Sequence, residues 1–391
     1  MYNGVKGCII LFSALLLLAE LFGFLYIEDN PFLIKATGLL SEADNLPNQT
    51  SSATGLLSEA DSLPNQTSSL YSGTIHFHLI FTHFDQKTME KDASHQSILN
   101  FRTVPNDAYA HLYNHRHRRV LESIFYHHRN ATVTIHTNFM TMKDFQSFTD
   151  GGYAIKTRQL EFSKLSKSTP LEGVEHQARF RTWEASRYWY TSFSNIYRLL
   201  VLYQEGGVYI DSDIVVTRPF DDLDNVLGWQ DKTYANNAVL VFKKPGNAFV
   251  FDCLLEMNST YSTTGWGING PKLVTRVWLR QWKDRGNASD SVRVLSQESF
   301  YLFPYQMLAQ HCFSNGSPKS ELLRYATALA GRVPHAVHTN NKITGRGKTA
   351  LRSGTLCHYL FTRFCVLCQE EPARPASYPN VEAGNATVVL P

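Results

Sequence analysis

A helix, a glycine pair, a strand and two aspartates follow one another within residues 194–216, SNIYRLLVLYQEGGVYIDSDIVV. This order constrains the fold more than any other feature of the chain. Apolar residues recur with helical spacing in its first half, and Ser194 is suited to be the N-cap of that helix. The glycines at 206–207 favour helix termination, because glycine adopts a left-handed backbone at little cost. The run Val208–Val216 then predicts a strand.

Asp211 and Asp213 interrupt that apolar strand. Because strand side chains alternate between faces, we expect the two carboxylates to point the same way, about 7 Å apart. An acidic pair of this kind is often only a solvated turn. At the end of a buried strand, however, it suits a hard divalent cation with oxygen ligands. Such a cation can hold a diphosphate, which suggests a nucleotide-sugar enzyme.

The amino-terminal residues predict a membrane anchor. The run 8–27 is apolar apart from one serine and one glutamate, and its length matches the bilayer core. Lys6 precedes the run and acidic residues follow it, so we expect residues 1–7 in the cytosol and the rest in a lumen. A cleaved signal peptide is the alternative, but its apolar core would be shorter. Seven N-x-S/T sequons agree with a luminal, glycosylated chain; they are Asn48, Asn65, Asn130, Asn258, Asn287, Asn315 and Asn385.

Between the anchor and the globular part lies a stem, residues 28–70. It contains a 17-residue tandem repeat, 36–52 and 53–69, rich in Ser, Thr, Asn and Pro, and we expect it to be disordered. Residues 71–368 are long enough to bury a large core. The Pro-rich tail 369–391 is expected to be loose.

The start of the globular part has the pattern of an α/β fold. A strand at His76–Phe81, a helix at Arg118–His128 and a strand at Thr132–Ile135 predict a unit with parallel pairing. Sheets of this type bind ligands at the carboxyl ends of their strands. The aspartate pair lies at such an end.

Cysteine usage and charge narrow the class of protein. Beyond Cys8 in the anchor run, two disulfides and one free thiol are plausible in an oxidising lumen; the cysteines concerned are Cys253, Cys312, Cys357, Cys365 and Cys368. The sequence leaves their pairing open, and it favours a structural role for the C-x-x-C pair at 365–368.

A net charge of +3 argues against nucleic-acid binding. The basic cluster at 115–119 is interpreted as a solvated helix face, with contact to a phosphate or a charged acceptor as the alternative.

Several ordered blocks between residues 73 and 363 resemble the alpha-1,4-galactosyltransferase and alpha-1,4-N-acetylglucosaminyltransferase family, Golgi enzymes with a DXD motif. The blocks are LESIFYHHRNATVTIHTN (121–138), the 194–216 segment, NNAVLVF (236–242), GWGINGPKLVTRV (265–277), ESFYLFPY (298–305) and AVHTNNK (336–342). The resemblance implies a GT-A fold, a UDP-sugar donor, Mn²⁺ (or Mg²⁺) and retention of the alpha configuration. It implies that Asp213 ligates the metal, and that Asp211 holds the ribose or donor sugar or assists at the metal.

The same resemblance assigns further site residues. Asn195 and Arg198 match a helix that contacts the donor sugar and diphosphate, although a capping Asn and a surface-paired Arg are the alternative. Tyr209 lines the donor pocket or belongs to the core. His338 is a further metal ligand or diphosphate contact, unless it is an ordinary hydrogen-bonded histidine. Residues matching a W-G-x-x-G-P block near the sugar sites are Trp266, Asn269, Gly270 and Pro271, of which the proline could instead begin a helix.

Two departures from the family pattern concern the sugar sites. Ile268 stands where the family often has histidine, and Asn340 stands where it usually has tryptophan.

The leading hypothesis is a type II Golgi enzyme that transfers galactose from UDP-galactose in alpha-1,4 linkage to a terminal sugar of a glycolipid or glycan. UDP-N-acetylglucosamine is the second donor, and a related mannosyltransferase is more distant. An inactive luminal binding protein and a plain membrane-anchored structural protein are the alternatives from other classes, and a homo-oligomer is left open.

Overall fold

The computed structural model of the chain describes most of the predicted globular part. The chain divides into two units, and every described residue belongs to the second, 53–391. The described residues are 74–82, 113–285, 292–304, 307–308, 312, 325, 328–329, 331, 333–340 and 355–368. The predicted anchor, stem and tail lie outside them.

A central sheet organises this part of the chain. Its strand order is β3-β2-β1-β4-β7-β6-β8, and a separate two-stranded ribbon pairs β5 with β9. The strands are β1 (His76–Phe81), β2 (Thr132–Thr137), β3 (Ala154–Gln159), β4 (Gly207–Ile210), β5 (Ile214–Val216), β6 (Val226–Trp229), β7 (Ala235–Phe242), β8 (Arg293–Leu295) and β9 (Ala336–His338). Only β7 runs antiparallel to its neighbours in the large sheet, so the expected α/β fold with a mainly parallel sheet is confirmed.

Helices cover both faces of the sheet. They are α1 (His115–His127), α2 (Gln146–Asp150), α3 (Phe162–Leu165), α4 (Ala178–Glu184), α5 (Trp189–Glu205), α6 (Ala248–Thr260), α7 (Pro271–Arg285) and α8 (Leu356–Arg363), and short 3-10 turns lie at Met142–Phe145, Val174–His176 and Gln297–Ser299. The predicted strand–helix–strand start is confirmed as β1, α1 and β2, and β1 pairs in parallel with β2 along its whole length.

Two apolar clusters form the core, one on each face of the sheet. Helices α1 and α8 pack into the first cluster, and α5, α6 and α7 pack into the second. Because strand side chains alternate, Val208 and Ile210 of β4 enter the first cluster while Tyr209 enters the second. Tyr209 therefore points towards α5, which carries two of the predicted site residues.

The basic cluster at 115–119 is not a solvated helix face, so that interpretation is wrong. Arg116, His117 and Arg119 are buried. The reason lies one turn further along α1, where the fully buried Glu122 accepts from Arg119 Nη1 at 2.9 Å and from the Nε of Arg118 at 3.1 Å. This buried carboxylate makes the burial of the Arg119 guanidinium tolerable, because that charge is paired and hydrogen-bonded.

The cysteines behave as the sequence predicts. Disulfides join Cys312 to Cys357 and Cys365 to Cys368, and Cys253 is a buried free thiol. The second disulfide lies beside Glu122, which also accepts from the backbone N–H groups of Val366 at 3.0 Å and Leu367 at 3.3 Å. The C-x-x-C segment thus contacts α1.

Membrane and glycosylation predictions fall mostly outside the described residues. Within the described ranges, no helix is both long enough and apolar enough to cross a membrane. Asn130 lies exposed in the turn after α1, and Asn258 lies half-buried near the end of α6. The other five sequons are outside the described part of the chain.

Candidate active site

The junction between α5 and β4 places the aspartate pair. Helix α5 begins at Trp189 rather than at Ser194, so the predicted N-cap is wrong and Ser194 lies inside the helix. The helix ends at Gly206, whose φ of +68° is unfavourable for other residues, as predicted. A Cβ on Gly207 would lie 2.6 Å from the His76 carbonyl oxygen, so this close approach of β4 to β1 requires glycine.

The aspartates lie in a turn and not within a strand. Strand β4 ends at Ile210, and the Ile214 N–H donates to the Asp211 carbonyl at 3.1 Å, closing a turn before β5. The predicted continuous strand Val208–Val216 is therefore wrong, and so is the spacing derived from it. In the turn, ligand atoms of Asp211, Asp213 and His338 all lie within 4.8 Å of one another.

The β5–β9 ribbon brings His338 to the aspartates. Ile214 pairs with His338 in antiparallel register, and the Thr339 N–H and hydroxyl both donate to the Asp213 carbonyl at 2.9 Å. His338 Nε2 lies 3.3 Å from Asp213 Oδ1. Two carboxylates and one imidazole form a donor set that suits Mn²⁺, so the chemistry of these residues fits the predicted metal.

Arg198 fixes the orientation of Asp211. Its Nη2 lies 3.0 Å from Asp211 Oδ1, and the Tyr209 hydroxyl donates to the same oxygen at 2.5 Å. Arg198 also donates to the Ser194 hydroxyl at 2.8 Å and to the Asn237 carbonyl at 2.6 Å, and its guanidinium lies 4.3 Å from the Tyr209 ring centroid. The alternative of a surface-paired arginine is excluded, because Arg198 is 4% exposed.

Burial and neighbouring charges shift the pKa values of Asp211 and His338. Burial raises the pKa of Asp211, the Arg198 guanidinium opposes that shift, and the Asp213 carboxylate adds to it. Burial alone would lower the pKa of His338, but the adjacent Asp213 carboxylate reverses the effect and the pKa is raised. A divalent cation placed among these groups would favour their deprotonated, ligating forms.

Asn195 belongs to the same network through one intermediate residue. Its Oδ1 accepts from Asn237 Nδ2 at 2.9 Å, and the Asn237 carbonyl holds Arg198. Gly270 packs against Asn195, since a Cβ at 270 would lie 2.8 Å from the Asn195 amide nitrogen. The two blocks that carry Asn195 and Gly270 are therefore in direct contact.

The other residues of the W-G-x-x-G-P block have separate positions. Asn269 is buried and donates to the Ser262 carbonyl at 2.7 Å and to the Ser192 hydroxyl at 3.2 Å, linking its loop to α5. Trp266 is 53% exposed. Pro271 begins α7, as the helix-start interpretation expected.

Sequence reasoning missed four residues of the site. Ser194 and Asn237 hold Arg198, and Thr339 holds the Asp213 turn. Burial lowers the pKa of His117 to about 4, and the Asp213 carboxylate acts in the opposite direction. The signal available for three of them was that they lie within or beside the family-like blocks. His117 lies in the basic cluster, for which contact with a phosphate or a charged acceptor was only the alternative interpretation.

The comparisons with known proteins agree with this geometry. Residues 114–234 match the family described as a glycosyltransferase sugar-binding region containing the DXD motif, and residues 242–371 match the alpha 1,4-glycosyltransferase conserved region. Lactosylceramide 4-alpha-galactosyltransferase of Pongo pygmaeus is 30% identical over 216 residues, which are 54% of this chain and 94% of that protein. The chain belongs to the alpha-1,4-glycosyltransferase family. The resemblance predicted from the sequence is confirmed.

Other relatives of the chain are matched over part of their length. The mouse lactosylceramide 4-alpha-galactosyltransferase is 32% identical over 212 residues, 53% of this chain and 56% of that protein. Human alpha-1,4-N-acetylglucosaminyltransferase is 28% identical over 218 residues, 53% of this chain and 58% of that protein. The chain thus spans about half the length of these two relatives. Among solved structures, PaToxG glycosyltransferase is similar with a TM-score of 0.36 and 14% identity, covering 79% of this chain and 90% of that one.

Proposed function

We propose that the protein transfers galactose from UDP-galactose, with retention and in alpha-1,4 linkage, to the terminal sugar of a glycolipid or glycan, and that it does so on a GT-A type fold with Mn²⁺ or Mg²⁺. The observation that supports this most is the convergence of Asp211, Asp213 and His338 beside the buried Arg198. Membership of the alpha-1,4-glycosyltransferase family supports the linkage. The names of several relatives support galactose as donor sugar and a glycolipid as acceptor.

Each residue of the site has a role in this proposal. Asp213 and His338 would hold the metal, together with Asp211, and a bound metal would supply Lewis-acid stabilisation of the departing diphosphate. Arg198, Tyr209 and the turn hydrogen bonds fix Asp211, so that its carboxylate needs no reorganisation during the reaction.

We propose attack of the acceptor hydroxyl on the same face of the sugar from which UDP departs. The carboxylates of Asp211 and Asp213 would be engaged as metal ligands. Of the other carboxylates in the family-like blocks, Glu122 and Glu205 are paired with arginines and Glu298 is exposed, so none of them is an obvious nucleophile. A phosphate oxygen of the donor would take the acceptor proton. A glycosyl-enzyme adduct detected by mass spectrometry would instead favour a covalent intermediate.

Asn340 is compatible with this function, although the family usually has tryptophan there. Its φ is +47°, in the left-handed region that asparagine enters more readily than bulky residues. The residue therefore fits the backbone that follows Thr339, and Thr339 keeps its two hydrogen bonds to Asp213. The loss of an aromatic ring at this position bears on the donor or acceptor sugar and leaves the metal ligands in place.

The test uses residues 71–391 secreted from eukaryotic cells. UDP-galactose, UDP-N-acetylglucosamine, UDP-glucose and GDP-mannose would be offered with lactose-type acceptors, with Mn²⁺ or a chelator. We expect Mn²⁺-dependent transfer from UDP-galactose that falls at least 100-fold in Asp213→Asn and persists in the exposed control Asp222→Asn. Transfer from UDP-N-acetylglucosamine alone would select the second donor. Donor binding by a folded domain without any transfer would select the inactive binding protein.

We further propose that the enzyme is a single-pass type II protein of the Golgi membrane with this domain in the lumen. The apolar run at 8–27, the flanking charges and the sequons support that location. Retention of the full chain in membranes after carbonate extraction, together with glycosidase-sensitive mobility, is the expected result. A chain released by carbonate and insensitive to glycosidase contradicts it.

A further inference from the structure

Helix α7 exposes two apolar side chains beside a row of basic ones. Leu279 is 44% exposed and Trp282 is 45% exposed. Lys272, Arg276 and Lys283 are exposed at helical spacing from Leu279, at i−7, i−3 and i+4, and Trp282 lies on the other side of Leu279. The buried side of the helix carries Leu273, Val274 and Val277, which belong to the core. The exposed apolar residues are therefore additional to those that the core uses.

Trp282 is held in its exposed position. Its ring stacks on Trp278, with centroids 5.5 Å apart and an interplanar angle of 27°. Trp278 in turn packs edge-on against Trp229 and donates its indole N–H to the Val292 carbonyl at 3.0 Å. A pre-oriented indole loses little conformational freedom when a partner covers it.

The charge around these residues is mainly positive. On the side of α7 that faces α6, Glu256 pairs with Arg276 and Arg280, each at 2.9 Å, and Asp252 accepts from Gln281 at 2.6 Å. The lysines at 272 and 283 add positive charge on the solvent side. Tryptophan and leucine among lysine and arginine side chains are typical of a helix that lies in a membrane interface.

We propose that this face of α7 binds the surface of a phospholipid bilayer, with Leu279 and Trp282 inserted between headgroups and the basic side chains on lipid phosphates. The inference rests on the proposed function, because the bilayer is the surface in which a glycolipid acceptor would be embedded. Helix α7 begins directly after Gly270, which packs on Asn195 at the site. A helix lying along the membrane would thus keep the site close to the glycolipid headgroups.

Vesicle binding tests the surface without relying on catalysis. Residues 71–391 would be sedimented with phosphatidylcholine vesicles, with and without phosphatidylserine. We expect binding to the phosphatidylserine vesicles, at least tenfold weaker in the double variant Leu279→Ser/Trp282→Ser and weakened by salt. Tyr126→Ser is the matched control, since Tyr126 is 44% exposed on α1, and it should bind like the wild type.

A kinetic arm separates this proposal from the proposed function. For a glycolipid acceptor in vesicles, the double variant should raise KM at least tenfold with little change in kcat. For a soluble glycan acceptor, both constants should stay as in the wild type.

Two results would overturn the proposed membrane-binding face even if transfer is intact. One is the absence of vesicle binding by the wild type, and the other is an equal loss of vesicle binding in the Tyr126→Ser control. A concentration-dependent dimer that the double variant abolishes would overturn it in favour of a second copy of the chain. Vesicle binding without any transfer would leave the membrane surface supported and the proposed function contradicted.

Discussion

Gly270→Ala is expected to damage transfer much more than folding. The added Cβ would lie 2.8 Å from Asn195 Nδ2 and 3.0 Å from its Cγ and Oδ1. A Cβ essentially never lies within 3.0 Å of another heavy atom, so the Asn195 amide or the backbone at 270 must shift, by 0.6 Å (3.4 − 2.8) to restore ordinary van der Waals contact. This amide is held by Asn237, and the Asn237 carbonyl holds Arg198.

The loss of stability expected from Gly270→Ala is small, whereas the expected loss of kcat/KM is large. Overpacking of a buried site costs about 1–3 kcal/mol of unfolding free energy. For a domain of this size that lowers Tm by roughly 2–4 °C per kcal/mol. A displacement of about 1 Å in a group that positions substrate can cost about 100-fold in rate. We therefore expect kcat/KM to fall roughly 10- to 100-fold, while the domain stays folded.

The assay combines transfer kinetics with thermal unfolding, and the chain offers a matched control. A Cβ on Gly265, in the same loop, would meet only the Ile268 side chain, at 2.9 Å from Cδ1, and that flexible end can rotate away. Gly265→Ala should keep its kcat/KM. In Asn195→Ala/Gly270→Ala the clash is absent, so this double variant should be no worse than Asn195→Ala alone. Full activity of Gly270→Ala, or additive losses in the double variant, would refute the reasoning.

Three further predictions concern stability and modification. Burial lowers the pKa of His136 to about 3, so this histidine is neutral in the fold while the unfolded chain protonates near pH 6.5. Folding stability should then decline as pH falls below about 6.5, and His136→Gln should flatten that slope by up to about 1.4 kcal/mol per pH unit in denaturant titrations. Glu122→Gln should cost about 3–5 kcal/mol, because it leaves buried guanidinium groups without their carboxylate; a Tm drop under 2 °C contradicts this. Asn130 is exposed, and Asn130→Gln should remove one glycosidase-sensitive mobility step on a gel.

Hydrophobic patterning predicted some elements correctly and others only in part. Strand β1 and the end of α5 at the glycine pair lie where the sequence placed them. The break of the predicted strand at Asp211 was not visible, because β-branched residues continue on both sides of it. That break depends on partners: the ladder of β4 with β7 reaches Ile210 opposite Val239, and β5 leaves it to pair with β9.

The site could be predicted only where a motif or a resemblance named its residues. Asp211 and Asp213 followed from their local context. The contact between Asp213 and His338 could not follow from spacing, since it depends on a ribbon between distant segments. The burial of Arg198 depends on the Asn237 carbonyl and the Tyr209 ring, which only the folded sheet brings beside α5.

The β5–β9 ribbon also sets the order in which the enzyme can mature during its synthesis. Thr339 and Asp213 are 126 positions apart, yet Thr339 donates two hydrogen bonds to the turn that carries both aspartates. A nascent chain that has emerged only as far as α7 already contains both aspartates but lacks the imidazole and the ribbon. We therefore expect the proposed metal site to form only when β9 has been translated and has paired with β5. Tight metal binding should accordingly report completion of the whole domain.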